Sequence, residues 1–286
     1  MHRWLGLLLS SLFILQPLMA KTPVWKVSRG NDFLFIGGTI HLLGKDDYPL
    51  PATFDMFYNI SQKLVLETDM EKLKSPTTQM KIMQLMSYQD GSKLQDHLKP
   101  ATWKILEQHV TSQGLPMQSI QLFKPGMVSM MLSVLELKKL GINSIGVDQH
   151  FADKAREENK SQGQLETVDE QLDFIASLGS NDPDEFILYT LRDLKKLPRV
   201  FTEMRTAWKT GDMDLMNKIG IEPMRNNFPD TYQTLIIERN KDWIPQIESL
   251  LSTHEVEMIL VGALHLAGKD SILKMLEAKG YAIKQY

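Results

Sequence analysis

The chain has 286 residues, a formal net charge of −3, 43% hydrophobic residues and 23% charged residues. That is enough apolar material for one large core or two small ones, and the near-balanced charge excludes a broad attraction to nucleic acid or anionic lipid. Cysteine is absent, which excludes disulfides, thiolate metal sites and cysteine nucleophiles and leaves nitrogen and oxygen as the donors for any fixed metal.

Residues 1–20 form a distinct segment. A short basic start, "MHR", leads into the apolar run "WLGLLLSSLFIL" and then "PLMA". The run is shorter than the roughly 20 residues a spanning helix needs, so it reads as a signal peptide cleaved after Ala20. The expectation is one domain over 21–286, periplasmic or secreted, with no membrane span left after cleavage. A cysteine-free exported chain suits a bacterial periplasm.

"VWKV", "RGND" and "FLFIGG" predict two short strands around a polar turn, the second running into Gly37-Gly38. "ATFDMFYNISQ" has Phe54, Phe57 and Tyr58 at helical spacing, and "KLVLETD" is a short apolar strand with Glu67 at its C-terminal end. The middle is mostly helical: "PTTQMKIMQLMSY", "KPATWKILEQHVTSQG" and "KPGMVSMMLSVLELKKLG" carry apolar repeats of helical period, with Met127, Met130, Met131, Leu132 and Leu135 as core filling. "INSIGVDQHF" passes from an apolar stretch into a charged helix, and "GQLETVDEQLDFIASLG" places Glu166 before another. Asp182–Ile219 reads as two further helices. "TYQTLIIERNKDWIPQIESLLST" is helical, "VEMILVG" a buried strand, "KDSILKMLEAKG" a helix and "YAIKQY" a closing strand. The fold class is therefore α/β, with a central sheet built from N- and C-terminal strands and a largely helical middle.

One phrase occurs twice. From Gly38 the chain reads GTIHLLGKD and from Gly262 it reads GALHLAGKD, with six of nine positions identical. Each copy follows an apolar strand, and ligands of open α/β sheets gather at the carboxyl ends of strands. Side by side, these strands bring His41 and His265 to one rim, with Gly38 and Gly262 allowing a tight turn or a close approach. Glu67, also at a strand end, is the third candidate. Two imidazoles and a carboxylate suit Zn²⁺ or a similar divalent ion with a coordinated water. Asp148 is either a helix N-cap or a site residue, and His150 is a candidate auxiliary. Arg239 either makes a helix salt bridge or binds a carboxylate or phosphate. His97, His109 and His254 read as surface residues. The glycine-rich phosphate loop, the G-x-S-x-G elbow and the H-E-x-x-H motif are all missing.

Together "GGTIHLLGKDDYPLP", "LVLETD", "GVDQHF", "GQLETVDEQLDFI", "ERNKDW" and "VGALHLAG" resemble the TraB/PrgY/GumN family, which includes the Tiki proteases, and most of all its exported bacterial GumN-like branch. The resemblance implies one α/β domain similar in plan to erythromycin esterases and to haem-binding ChaN proteins. From the Tiki-like members it implies metal-dependent hydrolysis of a peptide or protein, with the roles falling on His41, Glu67 and His265; Glu166, Asp148, His150 and Arg239 stand beside them as substrate-binding or auxiliary candidates. His150 departs from the family pattern, which more often has an aromatic or small residue there. The erythromycin-esterase likeness implies a metal-free alternative with His41 as general base oriented by Glu67. The ChaN and PrgY likenesses imply a haem- or peptide-binding protein without turnover.

Overall fold

The computed structural model describes residues 21–286; the expected signal peptide lies outside the described residues. The strands are β1 (Val24–Arg29), β2 (Asp32–Thr39), β3 (Leu42–Gly44), β4 (Lys63–Leu66), β5 (Ile142–Ile145), β6 (Ser161–Gln164), β7 (Glu257–Gly262) and β8 (Ala282–Gln285). Six form one mixed sheet in the order β6-β4-β7-β2-β1-β8, and β3 pairs with β5 in a separate two-stranded ribbon. β6, β4, β7 and β2 run parallel, while β1 is antiparallel to β2 and to β8.

Strand alternation explains the layers. Phe35, Leu64, Leu66, Met258 and Leu260 face one side, against Phe54, Phe57 and Tyr58 of the helix Ala52–Ile60, Phe151 of Val147–Glu157 and Trp208. Leu34, Ile36, Val65, Ile259 and Val261 face the other, against Trp243, Ile244 and Ile247 of Arg239–Leu251 and Ile272 and Leu276 of Ile272–Ala278. Central strands covered on both faces read as continuous apolar runs, as "VEMILVG" does.

The helical middle has its own core, in which Leu94, Leu106, Val110, Val128, Leu132, Ile187 and Leu191 are buried. Met127 and Met131 pack against apolar clusters there, but Met130 is 40% exposed and does not fill the core expected of it. The buried residues of its helix, Pro125–Lys139, are Pro125, Gly126, Val128, Leu132 and Leu137.

The sheet also takes a strand that composition hides. β6 is "SQGQ", polar and mostly exposed, and pairs only with β4 at one edge. An edge strand needs no apolar alternation, because one ladder and one neighbour hold it. No helix of the described residues is long and apolar enough to cross a membrane.

Candidate functional site

β7 lies between β4 and β2, all three parallel, so Leu66, Gly262 and Thr39 end at one rim. The expected side chains meet there. The Gly262 N–H donates to Glu67 Oε1 at 2.6 Å. A Cβ on Gly262 would stand 3.2 Å from that oxygen, 3.7 Å from His265 Cδ2 and 3.8 Å from His41 Nε2. An added Cβ would press on the Glu67 carboxylate and touch both rings, so glycine leaves the three side chains room to converge.

His265 is 4% exposed and its tautomer follows from its partners. Arg239 Nη1 lies 3.1 Å from Nε2. A guanidinium only donates, so Nε2 accepts and Nδ1 carries the proton. The Nδ1–H donates to Asn240 Oδ1 at 2.6 Å, and Trp243 covers the ring at a centroid distance of 4.6 Å. Burial, aided by the positive charge of Arg239, pushes the imidazole down to about 3, so His265 is neutral at neutral pH.

Arg239 sits at the centre. Its Nε and Nη2 donate to the two oxygens of Glu166 at 2.9 and 2.7 Å, and Nη2 donates also to Glu67 Oε2 at 2.8 Å. Trp243 flanks the guanidinium at 4.6 Å. Gln171 Nε2 donates to Glu166 Oε1 at 3.1 Å. Burial would raise Glu67, but positive charge around it and the Gly262 N–H outweigh this and hold its carboxyl below the usual carboxylate range. A neutral His265 supplies none of that charge, so Arg239, backed by His41, holds Glu67 ionised. Burial raises Glu166 above the usual carboxylate range, against the opposing pull of Arg239.

His41 differs from its counterpart. It turns outward after β2 and is 63% exposed, with Nδ1 3.1 Å from Asp148 Oδ2. Asp148 lies in the first turn of the helix Val147–Glu157, whose N-cap is Gly146. A Cβ at Gly146 would fall 2.3 Å from Ile40 O and 2.5 Å from His41 Cα, so only glycine lets this helix start against the His41 turn. The Asp148 carboxylate raises the imidazole to about 9, with burial opposing, and solvent around the ring screens the pair. His41 thus keeps an open face, and Asp148 fixes its ring.

A cavity of about 440 Å³ opens beside this dyad. Leu66 and Leu260 lie on its sheet side, Phe174, Ile175 and Met70 supply apolar wall, and Glu67 and Arg239 lie at its inner end. Thr39 Oγ1, Thr68 Oγ1, Asp148 Oδ1 and Gln149 Nε2 line it and are buried without a hydrogen-bond partner among the described residues. A mostly apolar pocket with a few convergent polar groups is the usual form of a small-molecule or side-chain site.

The expected residues therefore divide. Glu67, Glu166, Arg239 and His265 form one hydrogen-bonded group, and the His41–Asp148 pair shares the cavity lining with Glu67 and Arg239. His150 stands apart, tilted against Tyr48 and edge-to-face with Phe151 at centroid distances of 5.6 and 5.1 Å. Gly38 is a support: its carbonyl accepts from Trp208 Nε1 at 2.7 Å. Sequence reasoning missed Asn240, Gln171, Trp243, Gly146 and the pocket threonines. Asn240 and Trp243 lie within "ERNKDW", and Trp243, four residues after Arg239 and three after Asn240, has the helical spacing that sets it beside both.

The donor types suit a divalent ion, but protein donors already engage the buried ones. His265 Nε2 and Glu67 Oε2 face Arg239, and Glu67 Oε1 accepts from Gly262. Among the described residues no group of three or more His, Asp or Glu side chains is disposed to hold an ion. With Arg239 in place the residues do not fit a metal.

Compared with known proteins, the chain matches the model of the TraB/PrgY/gumN family over residues 23–285. No curated protein matches it, and no solved structure does.

Proposed function

The chain belongs to the TraB/PrgY/gumN family, and on that footing we propose that it is a hydrolase of peptide or ester bonds in which His41, fixed by Asp148, transfers the proton. The observation that carries this reading is the exposed His41 imidazole tied to a buried carboxylate at the mouth of an apolar cavity. A scissile carbonyl in the cavity would lie beside His41 Nε2. In its neutral form that nitrogen takes a proton from attacking water, and the imidazolium then returns it to the leaving group. Asp148 selects the Nδ1–H tautomer and stabilises the imidazolium. Glu67, ionised and fully hydrogen-bonded, is a poor base; its role is to hold Gly262 and Arg239 in place. The cavity lining supports a substrate with an apolar group next to the bond that is cut.

A second reading, a metal-dependent peptidase, draws support from the convergence of His41 Nε2, Glu67 and His265 around Gly262. It requires Arg239 to leave His265 and Glu67. Export belongs to the proposal as well: N-terminal sequencing of the mature protein should begin at Lys21.

The test uses panels of fluorogenic peptides and chromogenic esters, with and without chelator. Turnover that survives chelation and is lost in His41→Ala supports the dyad. Turnover lost on chelation and restored by Zn²⁺ or Mn²⁺ carries the second reading. Binding of peptide or haem with no turnover sinks both.

A further inference from the structure

We propose that the cleft against the helix Leu197–Lys209 binds an anionic amphiphile, a carboxylate or phosphate carried on an apolar chain. The inference goes beyond the hydrolase reading, and its readout is independent of turnover.

Charge singles out this stretch. The whole chain carries −3, yet residues 195–209, "KKLPRVFTEMRTAWK", hold five cations and one acid. Arg205 and Lys209, toward the end of the helix, are taken up by the buried Asp47. Lys196 and Arg199 instead line a cleft of about 770 Å³, together with Arg192 of the helix Pro183–Leu194 and with Lys218. All four are exposed. The acids of the lining are already paired, Asp193 with Lys196 at 3.4 Å and Glu203 with Arg199 at 3.7 Å. Arg192 and Lys218 have no acidic partner among the described residues. Four cations against two acids leave the lining at +2, in a chain of the opposite sign. Such a local reversal concentrates anions.

The cations alone would hold an anion weakly, because exposed ion pairs in water contribute little each. The floor supplies what they lack. Leu197, Val200, Leu215 and Ile219 line the cleft and are only half-buried, so apolar surface is left for a ligand to cover. The Tyr189 ring lies in the same lining, with the Arg192 guanidinium 5.5 Å from its centroid. The wall that carries Lys218 and Ile219 is a π-helical turn, Asn217–Ile221. Turns of this kind re-aim the side chains they carry and concentrate at functional sites. Behind it Gly220 packs on Leu264, where a Cβ would fall 2.5 Å from Cδ2, so this wall is anchored to the turn that holds His265.

The test is calorimetric titration with decanoate and with decyl phosphate, each below its micelle range, and with decan-1-ol as the neutral control. Both anions should bind at one equivalent and about tenfold more tightly than the alcohol, an advantage that added salt should shrink. Arg192→Gln/Lys218→Gln removes the two unpaired charges from exposed positions. It should weaken both anions about tenfold and leave the melting temperature unchanged. Arg192→Lys/Lys218→Arg keeps the charges and should bind as the parent does. Sedimentation with phosphatidylglycerol and phosphatidylcholine vesicles separates the sources. Uptake of the free amphiphile marks a soluble ligand, whereas binding to the phosphatidylglycerol vesicle alone, lost in the Gln variant, marks a lipid headgroup. Anion binding unchanged in the Gln variant places the ligand elsewhere and overturns the proposal. So does an alcohol bound as tightly as the anions, or a parent protein that takes neither amphiphile nor phosphatidylglycerol vesicle.

Discussion

The two histidines of the repeated phrase do different work. His265 is buried, neutral and held on both nitrogens, whereas His41 is exposed and paired only with Asp148. The two copies differ even in backbone, since the chain passes from His41 into β3 but Ala263–Leu266 is a 3-10 helix, and the environment sets the chemistry of each ring. The sequence located both rings but could not assign them: what separates them is a guanidinium 26 residues before His265 and a carboxylate 107 residues after His41. Asn240 is the direct test of the buried ring. Asn240→Leu should leave the Nδ1–H unsatisfied and lower stability by about 1–3 kcal/mol, measured by urea denaturation. Glu166→Ala strips Arg239 of its bidentate partner and should cost about 3–5 kcal/mol, because a buried charge loses its main compensation. His97→Ala, by contrast, should be near neutral, since that ring only stacks on Tyr88 and accepts or donates one exposed hydrogen bond.

Three parallel strand ends assemble the rim, and this was the most legible part of the molecule. "FLFIGG", "KLVLETD" and "VEMILVG" are each short, apolar and ended by a glycine or an acid, so period and punctuation gave their positions. The helix starts that complete the site were less legible. Asp148 reads as a cap from sequence, yet the cap is Gly146 and the carboxylate faces a turn on another segment. Only the close approach at Gly146 reveals this, and a lone glycine in a sequence does not announce its neighbour. Gly146→Ala should therefore separate the helix from the His41 turn and lower turnover far more than it lowers helix content. Gly262→Ala should act on Glu67 directly, since its Cβ would press on Oε1 at 3.2 Å. Trp208→Phe tests the support under Gly38: it loses a buried 2.7 Å hydrogen bond and should cost about 1–3 kcal/mol.

At the scale of the whole molecule, the buried group fixes the pH range of stability. His265 has its pKa lowered from 6.5 to about 3, so the unfolded chain binds a proton that the folded chain refuses. Its contribution is complete above pH 6.5 and is lost as pH falls toward 3. Glu67 is held below its ordinary 4.5, and its contribution is lost from 4.5 downward. Both act in the same direction, so the melting temperature should fall steadily below pH 6.5, and Glu67→Gln should flatten the part below about 4.5. His41 runs the other way. Its pKa is raised, so its contribution is present below 6.5 and lost as pH rises through about 9, weakly because the ring is exposed. A scan of thermal melting from pH 2 to 10 should show a steep acid limb and a shallow alkaline one. A symmetric profile, or one unchanged by Glu67→Gln, would remove the assigned charge states.

The central claim is that His41, held by Asp148, transfers the proton. The pH dependence of kcat/KM tests it on the best substrate of the peptide and ester panels, for the parent and for Asp148→Asn. A base with a raised pKa gives a rate that climbs about tenfold per pH unit and levels off near pH 9. Replacing Asp148 removes the charge that raises the imidazole while keeping the side chain's size. The midpoint should then move down toward the ordinary histidine value of 6.5, with a lower plateau because the imidazolium has lost its partner. Coincident midpoints in the two proteins, or a His41→Ala chain with the parent's profile, would contradict the account.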